Sequence, residues 1–233
     1  MLFKKNTNNG FQKVSEPGIN NSKDIDSSAR IPICLILDTS GSMHGRGIEE
    51  LNKGVRLFFD FIKKDTTAKN QAEIALITFG PEVKVVFDFS GVSDSIPPTL
   101  YADGGTPMTE AVDKALHLID KKIKRYKDQN FAYHKPWIIL MTDGQPNGDI
   151  TNVANISKTL VNDSKLMFLS IGIGEYADMN ILRQFSSKTP PVTMDGLNFD
   201  KLFDWIGESI GAISRTKVGG ITHLPQINWD KRE

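Results

Sequence analysis

Three stretches of the chain place oxygen side chains beside glycine. Asp38-Thr39-Ser40-Gly41-Ser42 sets a carboxylate and two hydroxyls, at Asp38, Ser40 and Ser42, on alternate residues. Gly104-Gly105-Thr106-Pro107 offers a further hydroxyl at Thr106, and Thr142-Asp143-Gly144 a second carboxylate at Asp143. In a tight turn the alternation can aim Asp38, Ser40 and Ser42 at one point, with Gly41 relaxing the backbone. Oxygen-only donors suit a hard cation, Mg2+ first and Mn2+ or Ca2+ as alternatives, whereas zinc prefers nitrogen and sulfur. Two aspartates roughly balance a divalent charge, and neutral hydroxyls leave it electrophilic. An open position could then take an outside anion, which is a design for binding a carboxylate and not necessarily for breaking a bond. Alone, Asp-Thr-Ser-Gly-Ser is also an ordinary solvated turn, so the case rests on whether the fold brings the three stretches together.

The elements around them predict that it does. Ile31 to Leu37 is an unbroken apolar run, suited to a strand buried on both faces. Ile48, Leu51, Val55, Leu57, Phe58, Phe59, Phe61 and Ile62 recur at helical spacing through Lys64. Ala72–Phe79 reads as a strand, and Val83–Phe87 as an antiparallel edge strand after the Gly80-Pro81 turn. Pro107 signals a helix start, because its missing N–H needs no partner there. Trp137–Met141 and Leu166–Ile173 are further buried strands, separated by a helix over about 150–162. A short helix near 179–187, an edge strand at 191–194 and a last helix over 199–214 complete the series.

Strands alternating with helices predict an α/β, doubly wound, Rossmann-like sheet, mostly parallel with one antiparallel edge strand and helices on both faces. Ligands of such sheets gather beyond the carboxyl ends of the strands where strand order reverses. Asp38 and Asp143 each follow a buried strand directly, so both belong on that edge.

The chain has 233 residues, enough for one substantial core and short for two. Its 28 Lys and Arg balance its 28 Asp and Glu, so no net field recommends nucleic acid or an anionic membrane. No apolar run approaches the ~20 residues of a membrane span. Cys34, the single cysteine, lies inside the first strand; it reads as a core residue and excludes an internal disulfide. These features predict a cytoplasmic protein. Residues 1–29, rich in Asn, Ser, Lys and Asp, read as a flexible leader; 30–215 form the domain and 216–233 an extended tail. The run from Lys121 to Lys127 reads as a solvated helix end, and Trp205 as core.

Asp38-x-Ser40-x-Ser42, then Thr106, then Thr142-Asp143-Gly144 resemble the metal-ion-dependent adhesion site of von Willebrand factor A domains. The resemblance covers about 31–215, and all five positions match. The Gly104-Gly105-Thr106-Pro107 wording further resembles the stand-alone tellurium-resistance-associated members of that family. What the resemblance implies is a non-enzymatic module that binds a protein partner through Mg2+ in a stress-response or signalling system, alongside a kinase and a phosphatase. The rival is a Mg2+-dependent phosphohydrolase with Asp38 as nucleophile. A haloacid-dehalogenase-like phosphatase resembles this in outline, but that resemblance implies a second aspartate where this chain has Ser40, and a lysine near the phosphate that no comparable strand end supplies.

Overall fold

The computed structural model describes residues 29–93, 95–194 and 199–220. In chain order these form β1 (Ile31–Asp38), α1 (Arg46–Lys64), α2 (Thr66–Gln71), β2 (Ala72–Phe79), β3 (Val83–Ser90) and α3 (Met108–Asp128). Then come β4 (Trp137–Thr142), α4 (Thr151–Asn162), β5 (Met167–Ile173), α5 (Met179–Leu182), β6 (Val192–Met194) and α6 (Phe199–Ser214). The sheet runs β3-β2-β1-β4-β5-β6, parallel except for β3, which pairs antiparallel with β2 at the edge. This is the doubly wound α/β layout that the alternation of elements predicts.

β1 is buried along its whole length because both of its faces are covered. Ile33, Leu35 and Leu37 meet Leu51, Phe58 and Phe59 of α1 and Phe203 and Ile206 of α6. Cys34 and Ile36 point the other way, into a second core with Ala111 and Val112 of α3, Val153 of α4 and Leu182 of α5. Trp205 is half-buried at the border of the first core. Among the described residues no helix is long and apolar enough to cross a membrane.

Four local features depart from the sequence reading. α2 is a polar helix of six residues with no apolar stripe; it forms because the Asp65 carboxylate accepts the amides of Thr67 and Ala68, both at 2.9 Å. β3 continues to Ser90, with register shifts opposite Leu76 that let its polar end pair. The segment after Asp178 is α5 followed by a 3-10 turn, Arg183–Phe185, whose Phe185 stacks on Phe168 at 5.0 Å. Lys122 is not solvated: its side chain is 11% exposed and pairs with Glu73 of β2. The helical period puts Lys122 and Tyr126 on the face of α3 that overhangs the start of β2, where the Tyr126 hydroxyl donates to Glu73 at 2.7 Å.

The leader expected over 1–29 lies outside the described residues except for Ala29, which is buried. Of the expected tail, 221–233 likewise lies outside them.

Asp65 also accepts the Arg215 guanidinium at 2.7 Å, tying the end of α6 to the α1–α2 corner. Burial pushes its carboxyl up, but the Ala68 amide, Arg215 and the Thr67 amide together hold it below the usual carboxylate range. A depressed folded pKa means stability that is present above the unfolded value and lost as pH falls through the folded one. Asp65→Ala is therefore expected to cost about 1 kcal/mol at neutral pH, from the lost cap and ion pair, and much less in strong acid. Urea denaturation at both pH values checks it.

Candidate metal centre

Strand order reverses between β1 and β4, since α1 leads the chain to β2 on one side and α3 returns it to β4 on the other. The carboxyl ends of these two strands therefore border the crevice where ligands of such sheets bind. Asp38 is the last residue of β1, Thr142 the last of β4, and Asp143 follows at once.

Asp38 is fully buried. Its Oδ1 accepts the Ser40 amide at 2.8 Å, and its Oδ2 accepts the Thr142 hydroxyl at 2.5 Å. The Ser40 and Ser42 hydroxyls lie 3.0 Å apart, and Ser42 donates to Asp143 Oδ1 at 2.7 Å. One line of polar contacts thus runs from the β1 turn to the β4 turn. The amide and hydroxyl of Thr39 both donate to the Phe79 carbonyl, at 2.7 and 3.0 Å, and fasten the first turn to the end of β2.

Thr106 arrives on the loop between β3 and α3, which is pinned at two places. Asn52 of α1 donates to the Leu100 carbonyl at 2.8 Å and accepts the Leu100 amide at 2.7 Å. Farther on, the Asp103 amide donates to the Thr39 carbonyl at 2.8 Å, and the Gly41 amide donates to the Gly104 carbonyl at 2.9 Å. Gly104 has φ +73°, and a Cβ there would stand 2.4 Å from the Pro81 nitrogen, so glycine alone fits. The Thr106 carbonyl accepts the Asn147 amide at 2.9 Å, and its Oγ1 would lie 3.7 Å from a Cβ on Gly144. The half-buried Thr106 hydroxyl therefore stands beside the Asp143-Gly144 turn.

All five residues singled out in the sequence meet at this edge. Asp38, Ser40, Ser42 and Asp143 are linked by hydrogen bonds, and Thr106 is brought alongside by the backbone of its loop. His44, Arg46 and Glu49 lie exposed just beyond the turn.

Burial pushes the Asp38 carboxyl up; bonds from Ser40 and Thr142 pull it back, and nearby Asp143 raises it further, leaving it above the usual range. Burial likewise raises Asp143, against the pull of Ser42. Among the described residues neither carboxylate has a Lys or Arg partner. Two carboxylates drawn out of water with only hydroxyls and amides around them lack positive compensation. A hard divalent cation would supply it, and the hydroxyl-plus-carboxylate donor set fits such an ion. Among the described residues no group of three or more His, Cys, Asp or Glu is placed to hold a metal ion, so the candidate here consists of two carboxylates and three hydroxyls.

Two positioning residues escaped the sequence reading. Thr142 was visible only as the residue before Asp143, although its hydroxyl fixes Asp38. Asn52 left a signal, being a polar residue three before Val55 and seven before Phe59 on the apolar stripe of α1. A buried amide in such a stripe requires partners, here the loop that carries Thr106.

The family model of the von Willebrand factor type A domain matches residues 33–202. An uncharacterized protein of Synechocystis sp. is 26% identical over 174 residues, covering 71% of this chain and 38% of that protein. Inter-alpha-trypsin inhibitor heavy chain H4 of Sus scrofa is 27% identical over 135 residues, covering 55% of this chain and 14% of its own length. The chain thus spans well under half the length of these curated relatives. Solved structures share the fold. A von Willebrand factor type A structure from Catenulispora acidiphila superposes with a TM-score of 0.61 at 17% identity, over 79% of this chain and 43% of its own. The vWF domain of the type V pili tip protein Mfa5 from Porphyromonas gingivalis gives 0.59 at 13%, over 84% and 99%. The manganese-loaded TRAP protein of Plasmodium vivax gives 0.51 at 20%, over 76% and 74%.

Proposed function

The chain belongs to the von Willebrand factor type A domain family, and from that premise we propose that it is a non-enzymatic protein-binding module working through a divalent cation. The observation that carries this reading is the line of hydrogen bonds from Asp38 through Ser40 and Ser42 to Asp143, with Thr106 beside it. These five residues would hold Mg2+, or Mn2+ as in the manganese-loaded TRAP relative. When bound, the ion supplies an electrophilic position for a carboxylate from outside. The chain's own part is to orient the donors: Thr142 and the Ser40 amide fix Asp38, and Asn52 fixes the approach to Thr106. The partner is then a protein that offers an acidic side chain. A cytoplasmic, tellurium-resistance-like stress response, with a kinase or phosphatase as that protein, is the setting that the sequence resemblance favours.

Ser40 stands where the rival hydrolase would place a second aspartate, and among the described residues no Lys or Arg pairs with Asp38 or Asp143, which favours binding over hydrolysis. Calorimetry with Mg2+ tests the reading. Ser42→Ala removes a donor without moving charge, and is expected to weaken Mg2+ about 10- to 100-fold at unchanged stoichiometry. Equal affinity in both proteins would remove Ser42 from the site. An aryl phosphate incubated with Mg2+ should show no turnover; turnover lost in Asp38→Asn would favour the hydrolase.

A further inference from the structure

We propose that Tyr101 and Tyr176 are aromatic anchors on opposite flanks of the metal centre, and that the partner presents an acidic side chain with apolar residues on both sides of it. This rests on the reading of the centre as a carboxylate-binding metal site.

Both tyrosines are at the sheet edge that carries the centre. Tyr101 is 79% exposed and Tyr176 80%, well above most other exposed apolar side chains of the described residues. Tyr101 follows Leu100, which Asn52 clamps through both backbone groups, and precedes Asp103, whose amide is tied to Thr39 beside Asp38. It therefore stands on the β1–β2 side. Tyr176 follows β5, in which Gly172 pairs in register with Thr142 of the centre. Its turn is anchored on both sides. The Gly174 amide donates to the Met194 carbonyl at 3.1 Å, and the Asp178 carboxylate accepts the amides of Asn180 and Ile181 at 2.9 and 3.1 Å. Ala177, between them, packs down on Gly172, where a Cβ would come within 2.9 Å of the Ala177 Cβ. Tyr176 is thus held on the β5 side, and in strand order the ends of β1 and β4, with Asp38 and Asp143, lie between the segments that carry the two tyrosines.

An exposed tyrosine on a mobile tip would need no explanation. Here the backbones are fixed and the rings are left in water, which is the arrangement of a preformed binding surface. Tyrosine offers a large amphipathic contact with few rotatable bonds, and a fixed backbone lowers the ordering cost of binding. A metal-bound carboxylate would supply the central, directional contact. The rings would then select what flanks it, and apolar side chains gain most by covering an aromatic face.

The test is selection of a displayed library of random dodecapeptides on the full chain, with Mg2+ and with chelator. The expected pool is enriched only with Mg2+ and carries Asp or Glu with an apolar residue on each side. A synthetic peptide from that pool should bind about tenfold more weakly to Tyr101→Ser and to Tyr176→Ser, with Mg2+ affinity unchanged in both variants. Acidic peptides with random flanks, or undiminished binding by both variants, would overturn the anchors and leave the metal reading standing. An empty selection by a protein that binds Mg2+ in calorimetry would do the same. Selection that ignores chelator, or a chain that takes up no Mg2+, would defeat the metal reading itself and the anchors with it.

Discussion

Replacing Asp38 with asparagine is expected to abolish the rise in melting temperature that Mg2+ gives the wild-type protein, without destabilising the metal-free form. Asparagine keeps the size of the side chain. Its carbonyl can still accept the Ser40 amide, now 2.8 Å from Oδ1, and its amide can donate to the Thr142 hydroxyl. What disappears is a buried charge that no Lys or Arg among the described residues offsets and that the nearby Asp143 opposes. Removing such a charge relieves desolvation and like-charge repulsion, so the metal-free variant should melt at or above wild type. The metal arm moves the other way. A ligand at 100 times its dissociation constant stabilises the folded state by about 2.7 kcal/mol, which is roughly 5–10 °C for a chain of this size. Losing one of two anionic ligands should weaken Mg2+ at least about 100-fold and erase that shift. A Mg2+-induced rise that survives in Asp38→Asn would place the ion elsewhere.

The largest effect on stability is expected at Phe203, where α6 crosses α1. The ring is fully buried and lies 5.8 Å from the ring of Phe58. It also packs against Gly54, where a Cβ would fall 2.4 Å from Phe203 Cδ2. Phe203→Ala removes the ring and leaves a void, for a loss of about 3–5 kcal/mol. Gly54→Ala forces the ring aside and should cost about 1–3 kcal/mol in the wild type. The two changes are coupled. Without the ring, an alanine at position 54 still meets the Phe199 Cβ at 2.9 Å, but it gains helix propensity of about 1 kcal/mol over glycine. In the Phe203→Ala background Gly54→Ala should therefore cost clearly less than in the wild type by urea denaturation. Additive losses would mean that the ring is not what keeps position 54 bare.

The parts of this molecule that could be read from sequence are those whose signals are local and periodic. The buried strands announce themselves as unbroken apolar runs, and α1 and α6 as stripes at helical spacing. Asp38, Ser40 and Ser42 are legible because alternation within one turn is a local pattern. Asp143 is legible because it directly follows a buried strand. The single antiparallel edge follows from the Gly80-Pro81 turn between two short strands. What stayed hidden depends on partners far along the chain. α2 carries no apolar stripe and exists because Asp65 caps it. Lys122 looks like one more solvated cation until Glu73 and Tyr126 are seen beside it. Thr142 fixes Asp38 across 104 positions of sequence, and Asn52 holds Leu100 across 48. Asn52 was the most recoverable of these, since an amide within an apolar stripe demands partners even when the sequence does not name them.

The most direct measurement is a titration of Mn2+ into the protein, with the free ion read by electron paramagnetic resonance and Mg2+ added as competitor. The account predicts a single saturable Mn2+ per chain, displaced by Mg2+, and lost in both Asp38→Asn and Asp143→Ala while the circular dichroism of each variant stays that of the wild type. No saturable uptake by the wild-type chain, or uptake unchanged in both folded variants, would contradict it.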